Sequence, residues 1–203
     1  MLRRISLPTI FLILIVVIGL ITLLGPSERI LGNNVRLVYL HGAWVWTAMI
    51  AFIASAVAGL LGFVTRKSGG HRWSLALGQT GLVFWISYLP LSLWTMQANW
   101  NGLYLAEPRW RVGLHFALIG LLLQVGLWLL KRPRLASISN ILFLAALLWS
   151  LSRAEQVMHP PSPIMSSESA VIQIYFLSLT GLCLMAAGIM AAWLRSLSKQ
   201  SHA

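Results

Sequence analysis

Aspartate is absent from this 203-residue chain, and only four glutamates stand against fifteen lysines and arginines. Charged side chains of either sign make up 9% of it and apolar ones 58%. Apolar stretches of helix-spanning length recur from end to end, which leaves no room for a separate soluble domain. The single cysteine, Cys183, falls inside one of these stretches, so neither a disulfide nor a thiolate cluster can form within one chain. No acidic or basic residue lies deep in any apolar stretch. Intramembrane ionisable groups are costly and mark ion or proton pathways, so their absence argues against a proton-coupled transporter or pump. No internal repeat of the inverted-repeat transporter kind is present either. A net charge of +11 would suggest nucleic acid in a soluble protein. Here the cations sit in short segments between apolar runs and not along an amphipathic stripe. That pattern points to membrane topology, with no nucleic acid as partner.

What the chain does contain is six apolar runs. A transmembrane helix needs roughly 20 mostly apolar residues. Residues 7–25, 39–64, 73–97, 110–130, 136–152 and 170–194 meet this approximately. The expectation is an all-α polytopic membrane protein: one integral membrane domain over 1–203, a bundle of six transmembrane helices in the lipid bilayer. The first run resembles a signal-peptide core, but Gly25-Pro26-Ser27-Glu28 follows it in place of a small-x-small cleavage site, so it reads as a retained anchor. With the N-terminus inside, the inner segments carry Arg3, Arg4, Arg66, Lys67, Arg72, Lys131, Arg132, Arg134, Arg195 and Lys199, ten in all. The outer ones carry Arg29, Arg36, Arg109, Arg111 and Arg153, which is five. The positive-inside rule then places both termini in the cytoplasm. Glu28, Glu107, Glu155 and Glu168 all fall outside.

Small residues four apart predict close helix packing: Ala51, Ser55 and Gly59; Ala54, Ala58 and Gly62; Gly188 and Ala192. Gln79, Thr80, Gln124, Asn140 and Gln173 predict interhelical hydrogen bonds, and Pro90 predicts a kink in the third helix.

Two of the five histidines draw attention. His41 lies in Tyr39-Leu40-His41-Gly42-Ala43-Trp44 at the start of the second run, and His159 in Met158-His159-Pro160-Pro161 before the sixth. On the same outer face comes the loop Trp100-Asn101-Gly102-Leu103-Tyr104-Leu105-Ala106-Glu107-Pro108-Arg109. His71, in a glycine-rich inner turn, and His202, in the polar tail, read as solvated residues, and His115 reads as a helix-packing residue. Heme iron accepts axial imidazole, and two such ligands close a six-coordinate site. The macrocycle also needs apolar faces to lie on, and its propionates favour cations such as Arg109 and Arg111. Trp44, Trp46, Trp94, Trp100, Tyr104, Trp110 and Trp149 map to the outer third, while Trp73, Trp128 and Trp193 map near the inner ends. Aromatic belts form at any membrane interface, but the outer excess suggests something beyond a belt.

These residues resemble the cytochrome c assembly family of heme-handling membrane proteins, of the CcmC type with its tryptophan-rich "WWD" outer loop. Tyr39-Leu40-His41 with Ala43-Trp44 is similar to the family's Tyr-x-His…Ala-Trp. Ser92-Leu93-Trp94 with Trp100 is similar to its approach to the loop. Glu107-Pro108-Arg109 stands where the family has an Asp-Pro-Arg or Asp-Ala-Arg ending, and Met158-His159-Pro160 resembles its Leu-His-Gln-Pro. The resemblance covers nearly the whole chain. It implies that His41 and His159 are the axial metal ligands of a transient, non-covalent heme b. It also implies that Trp44, Trp94, Trp100, Tyr104, Glu107 and Arg109 border that heme, the last four as a platform. The chain departs from the family at Leu103, Tyr104 and Ala106, where tryptophans are usual, and at Glu107, where aspartate is. Arg153-Ala154-Glu155 also replaces a tryptophan-rich stretch before the second histidine.

The leading function is therefore heme handling for cytochrome c maturation in the inner, cytoplasmic membrane. Heme would bind on the extracytoplasmic side and pass to a heme chaperone or apocytochrome, beside other maturation subunits in the membrane. That is transfer more than catalytic turnover. No CxxCH occurs, so the chain is not itself a c-type cytochrome. Two other classes stay open. One is a b-type cytochrome subunit using His41 with His115. The other is a heme-free structural or permease-like subunit of a membrane complex.

Overall fold

The computed structural model describes residues 5–155 and 163–200. Six helices follow one another: α1 (Leu7–Leu23), α2 (Val35–Thr65), α3 (Ser68–Trp100), α4 (Pro108–Leu130), α5 (Pro133–Ser152) and α6 (Ala170–Gln200). Among the described residues there is no strand, only one isolated bridge between Glu28 and Gly32. Five helices are long and apolar enough to cross a membrane. The exception, α1, has 17 residues, about 25 Å of helix, at the lower limit for a crossing. The chain is a multi-pass helical membrane protein.

Local chemistry sets the helix ends. Ser6 caps α1 by accepting the Thr9 N–H, and α4 and α5 open on prolines at their first position, where a missing N–H costs nothing. Helices α2, α3 and α4 each end in a left-handed residue: Arg66 (φ 55°), Asn101 (φ 52°) and Lys131 (φ 50°). Two of these ends feed two-residue connections, Arg66–Lys67 and Lys131–Arg132, so consecutive helices fold back on one another. The longer connections, 24–34, 101–107 and the described parts of the one between α5 and α6 (153–155 and 163–169), gather at the opposite end of the bundle. Antiparallel packing of α1 on α6 agrees, since the Tyr175 hydroxyl donates to Ile21 O at 2.8 Å. One end of the bundle thus holds the start of α1 and the end of α6, and the other holds the long connections.

Every expected span lies on a helix, with shifted ends. The first stops at Leu23 and not at 25, because Gly25-Pro26 cannot continue it. The third begins at Ser68 and not at 73. Gly69-Gly70 is the first turn of α3 and no loop, because a bare Gly70 backbone lets α3 lie directly on α2. A Cβ there would come within 2.6 Å of Gly62 Cα. His71 is consequently only 4% exposed, contrary to the solvated residue expected, and its Nδ1 meets Ser137 Oγ at 2.8 Å.

The small-residue rows of α2 pack as expected. A Cβ added to Gly59 would lie 3.0 Å from Ser137 Cβ and 3.1 Å from Ser74 Oγ. In α6 the expected row does not pack, since Gly188 has nothing within 4 Å of an added Cβ. The buried face of α6 runs instead through Phe176, Leu179, Cys183, Ala186 and Met190. A polar network ties four helices. Ser55 Oγ donates to Ser74 O (2.6 Å), Asn140 Nδ2 donates to the same oxygen (2.9 Å), and Gln124 Nε2 donates to Asn140 Oδ1 (3.0 Å). Thr80 bonds within its own helix and Gln173 bonds the connection before α6.

Candidate functional site

The end with the long connections holds a cavity of about 580 Å3, within the range of small-molecule pockets. One face of α2 and one of α3 build most of its wall. On α2, Val38, His41, Gly42, Val45 and Met49 recur every three or four residues, the spacing that stacks side chains on one side of a helix. On α3, Trp85, Tyr88, Ser92, Met96 and Asn99 do the same. The start of α4 adds Glu107, Arg109 and Trp110.

His41 sits in the second turn of α2, and Gly42 beside it lets α6 approach. A Cβ at Gly42 would meet the Phe176 ring at 3.1 Å. The imidazole lies 5.9 Å from the Tyr88 ring, tilted by 53°. Tyr88 packs edge-on against Trp85 at 4.8 Å, and the Trp85 indole N–H donates to Gly113 O at 3.0 Å. The imidazole therefore rests against an aromatic wall that α4 holds in place.

Glu107 is 5% exposed although it is a carboxylate. It caps α4, with Oε2 accepting the Trp110 N–H, where the positive end of the helix dipole favours an anion. Its Oε1, the Oδ1 of Asn99 and the Nε1 of Trp110 are buried and make no hydrogen bond among the described residues. Buried polar atoms are nearly always satisfied. Three exceptions in the lining of one cavity, two acceptors and one donor, mark it as a place for a ligand with polar edges. Nearby, the Leu31 and Ile30 N–H groups donate to Glu28 Oε2 (2.9 and 2.8 Å) and hold that exposed carboxyl below its ordinary range. This fixes the connection from which Leu31 enters the cavity wall.

Of the residues expected at the site, His41, Trp100, Glu107 and Arg109 line the cavity together. Trp44 is half-buried between α2 and α3, with its indole N–H on Ser87 Oγ (2.8 Å) and its ring 4.7 Å from Phe84. Trp94 is 62% exposed and outside the lining. Tyr104 is 42% exposed and packs edge-on against Trp100 at 5.7 Å, also outside it. His159 lies outside the described residues. His115 is exposed on α4 and does not reach the cavity. Among the described residues no three His, Cys, Asp or Glu side chains converge on a metal position.

Sequence reasoning missed the α3 face. Tyr88, Ser92, Met96 and Asn99 belong to the site, and their signal was a row of polar and thioether side chains at helical spacing inside an apolar run. Met49 and Met96 add sulfur, a second donor type that heme iron accepts. Comparison with protein-family models, with curated proteins and with solved structures gives no match to this chain.

Proposed function

We propose that this chain is a membrane heme-handling protein that holds heme b transiently and non-covalently at the cavity end of the bundle. One observation carries the reading: the His41 imidazole stands in the wall of an aromatic cavity of about 580 Å3, with the Arg109 cation in the same lining. The residues suit the group. Trp85, Tyr88, Trp100 and Trp110 offer surfaces for a macrocycle, the imidazole suits iron, and a guanidinium suits a propionate. When bound, heme brings an iron that takes nitrogen or sulfur ligands. His159 is the proposed second ligand from the family resemblance. Trp100, Tyr104, Glu107 and Arg109 are the proposed platform, with Trp44 and Trp94 behind it. The proposed recipient is a heme chaperone or apocytochrome on the extracytoplasmic side of the inner membrane, next to other cytochrome c maturation subunits. The b-type reading through His41 and His115 has less support, because His115 is exposed outside the cavity lining.

Heme titration of the purified protein in detergent tests this. The expected outcome is a Soret band shifted from that of free heme, weakened by His41→Ala and by His159→Ala and lost in the double variant. A heme that stays bound through purification and cycles reversibly between redox states would favour the b-type class. Equal affinity in the wild type and the double variant would sink the proposal.

A further inference from the structure

The opposite end of the bundle holds a second cavity, of about 570 Å3, between the ends of α2, α3, α4 and α5. Arg66, His71, Lys131, Arg132 and Arg134 all line it. Among the described residues no carboxylate lines the cavity with them. The four glutamates of the chain stand in or next to the connections at the far end, and aspartate is absent. Arginine and lysine side-chain hydrogen bonds among the described residues are confined to Arg36, Arg72 and Arg111, so none of the four cations in this cavity has one among those residues.

The helix ends add to the imbalance. Arg66 and Lys131 close the C-termini of α2 and α4, where a cation suits the helix dipole. Arg132 and Arg134 instead flank the N-terminus of α5, where a cation opposes it, and Ser68 brings the N-terminus of α3 into the same cavity. Neither N-terminus has a side-chain cap. His71, 4% exposed, uses Nδ1 for Ser137, and Nε2 has no partner among the described residues. The four cations repel one another, and the two uncapped N-terminal dipoles add to the positive field there, which an anion would offset; the His71 imidazole offers a neutral polar edge beside them.

We infer that this cavity binds the phosphate group of an anionic phospholipid. The apolar side of the same cavity argues for a lipid over free phosphate. Leu135 and Ile138 line it, and with Leu142 they form an exposed row at three- and four-residue spacing along α5. That row runs from the cations toward the middle of the helix, where an acyl chain would lie. The cation-rich end is also the one expected on the cytoplasmic side, whose leaflet presents anionic headgroups. Basic pockets between transmembrane helices bind such headgroups.

The test uses the full chain in detergent–lipid micelles of phosphatidylcholine alone or with phosphatidylglycerol, and reads co-purified lipid by mass spectrometry. The wild type should retain phosphatidylglycerol over phosphatidylcholine, and less of it as salt is raised. Replacing Arg66, Lys131, Arg132 and Arg134 by Gln should reduce that preference about tenfold or more. Replacing Arg29 and Arg153 at the far end should not. Should the quadruple variant fail to fold, the wild type decides alone: no headgroup preference, or one insensitive to salt, overturns the inference. Displacement of phosphatidylglycerol by millimolar inorganic phosphate also overturns it, in favour of a free anion.

Discussion

A Cβ on Gly113 would lie 1.4 Å from the Tyr88 hydroxyl oxygen. The glycine is therefore a condition for the tyrosine's position, and the tyrosine is the ring against which His41 rests. Gly113→Ala forces Tyr88 out of its place beside Trp85. Overpacking of this kind costs about 1–3 kcal/mol. The expected result is a lower unfolding midpoint in detergent and weaker heme uptake. Tyr88→Phe removes the clashing oxygen and should recover part of the stability in the double variant. An unaltered midpoint for Gly113→Ala would show that the tyrosine has room elsewhere and that the wall around His41 is not fixed by this contact.

At the scale of helices, α2 and α3 form the central pair, and glycine decides how near they come. Gly69 and Gly70 are neighbours in sequence with opposite surroundings. A Cβ at Gly70 would strike the Gly62 backbone, whereas one at Gly69 meets nothing within 4 Å. Backbone cannot move aside as a flexible side chain can. Gly70→Ala should therefore destabilise the bundle by about 1–3 kcal/mol. Gly69→Ala should be neutral or stabilising, by up to about 1 kcal/mol, because alanine loses less entropy in a helix. Unfolding of the two variants in a denaturing detergent separates them, and equal stability would contradict the close α2–α3 contact. The glycine pair looked like a turn in the sequence because local composition carries no information about what the backbone touches.

For the whole molecule, alternation of six helices puts the start of α1 and the end of α6 at one end and the His41 cavity at the other. Which end faces the cytoplasm rests on the ten-to-five distribution of lysine and arginine. Cysteine labelling from outside should mark positions in 98–109 and 153–169 and spare 65–72 and 131–135. Labelling of 65–72 from outside would invert the orientation, and with it the side on which either cavity opens.

The number of helices and their order were legible in the sequence, because each depends on a local property. Spanning length follows from an apolar run, but the starts of α4 and α5 were expected at 110 and 136, inside the prolines Pro108 and Pro133 that open them. Four of the eight residues expected at the site line the cavity: His41, Trp100, Glu107 and Arg109 sit near helix ends, where position along the chain implies position in space. The α3 face was not. Tyr88, Ser92, Met96 and Asn99 enter the cavity, while Trp94, on the same helix, points away. The burial of His71 and the inward turn of Trp44 toward Ser87 were equally hidden. In water, a helix reveals its inner face by contrast between polar and apolar sides. In lipid both sides are apolar, so that contrast disappears, and only contact with the neighbouring helices decides which side chains line a cavity.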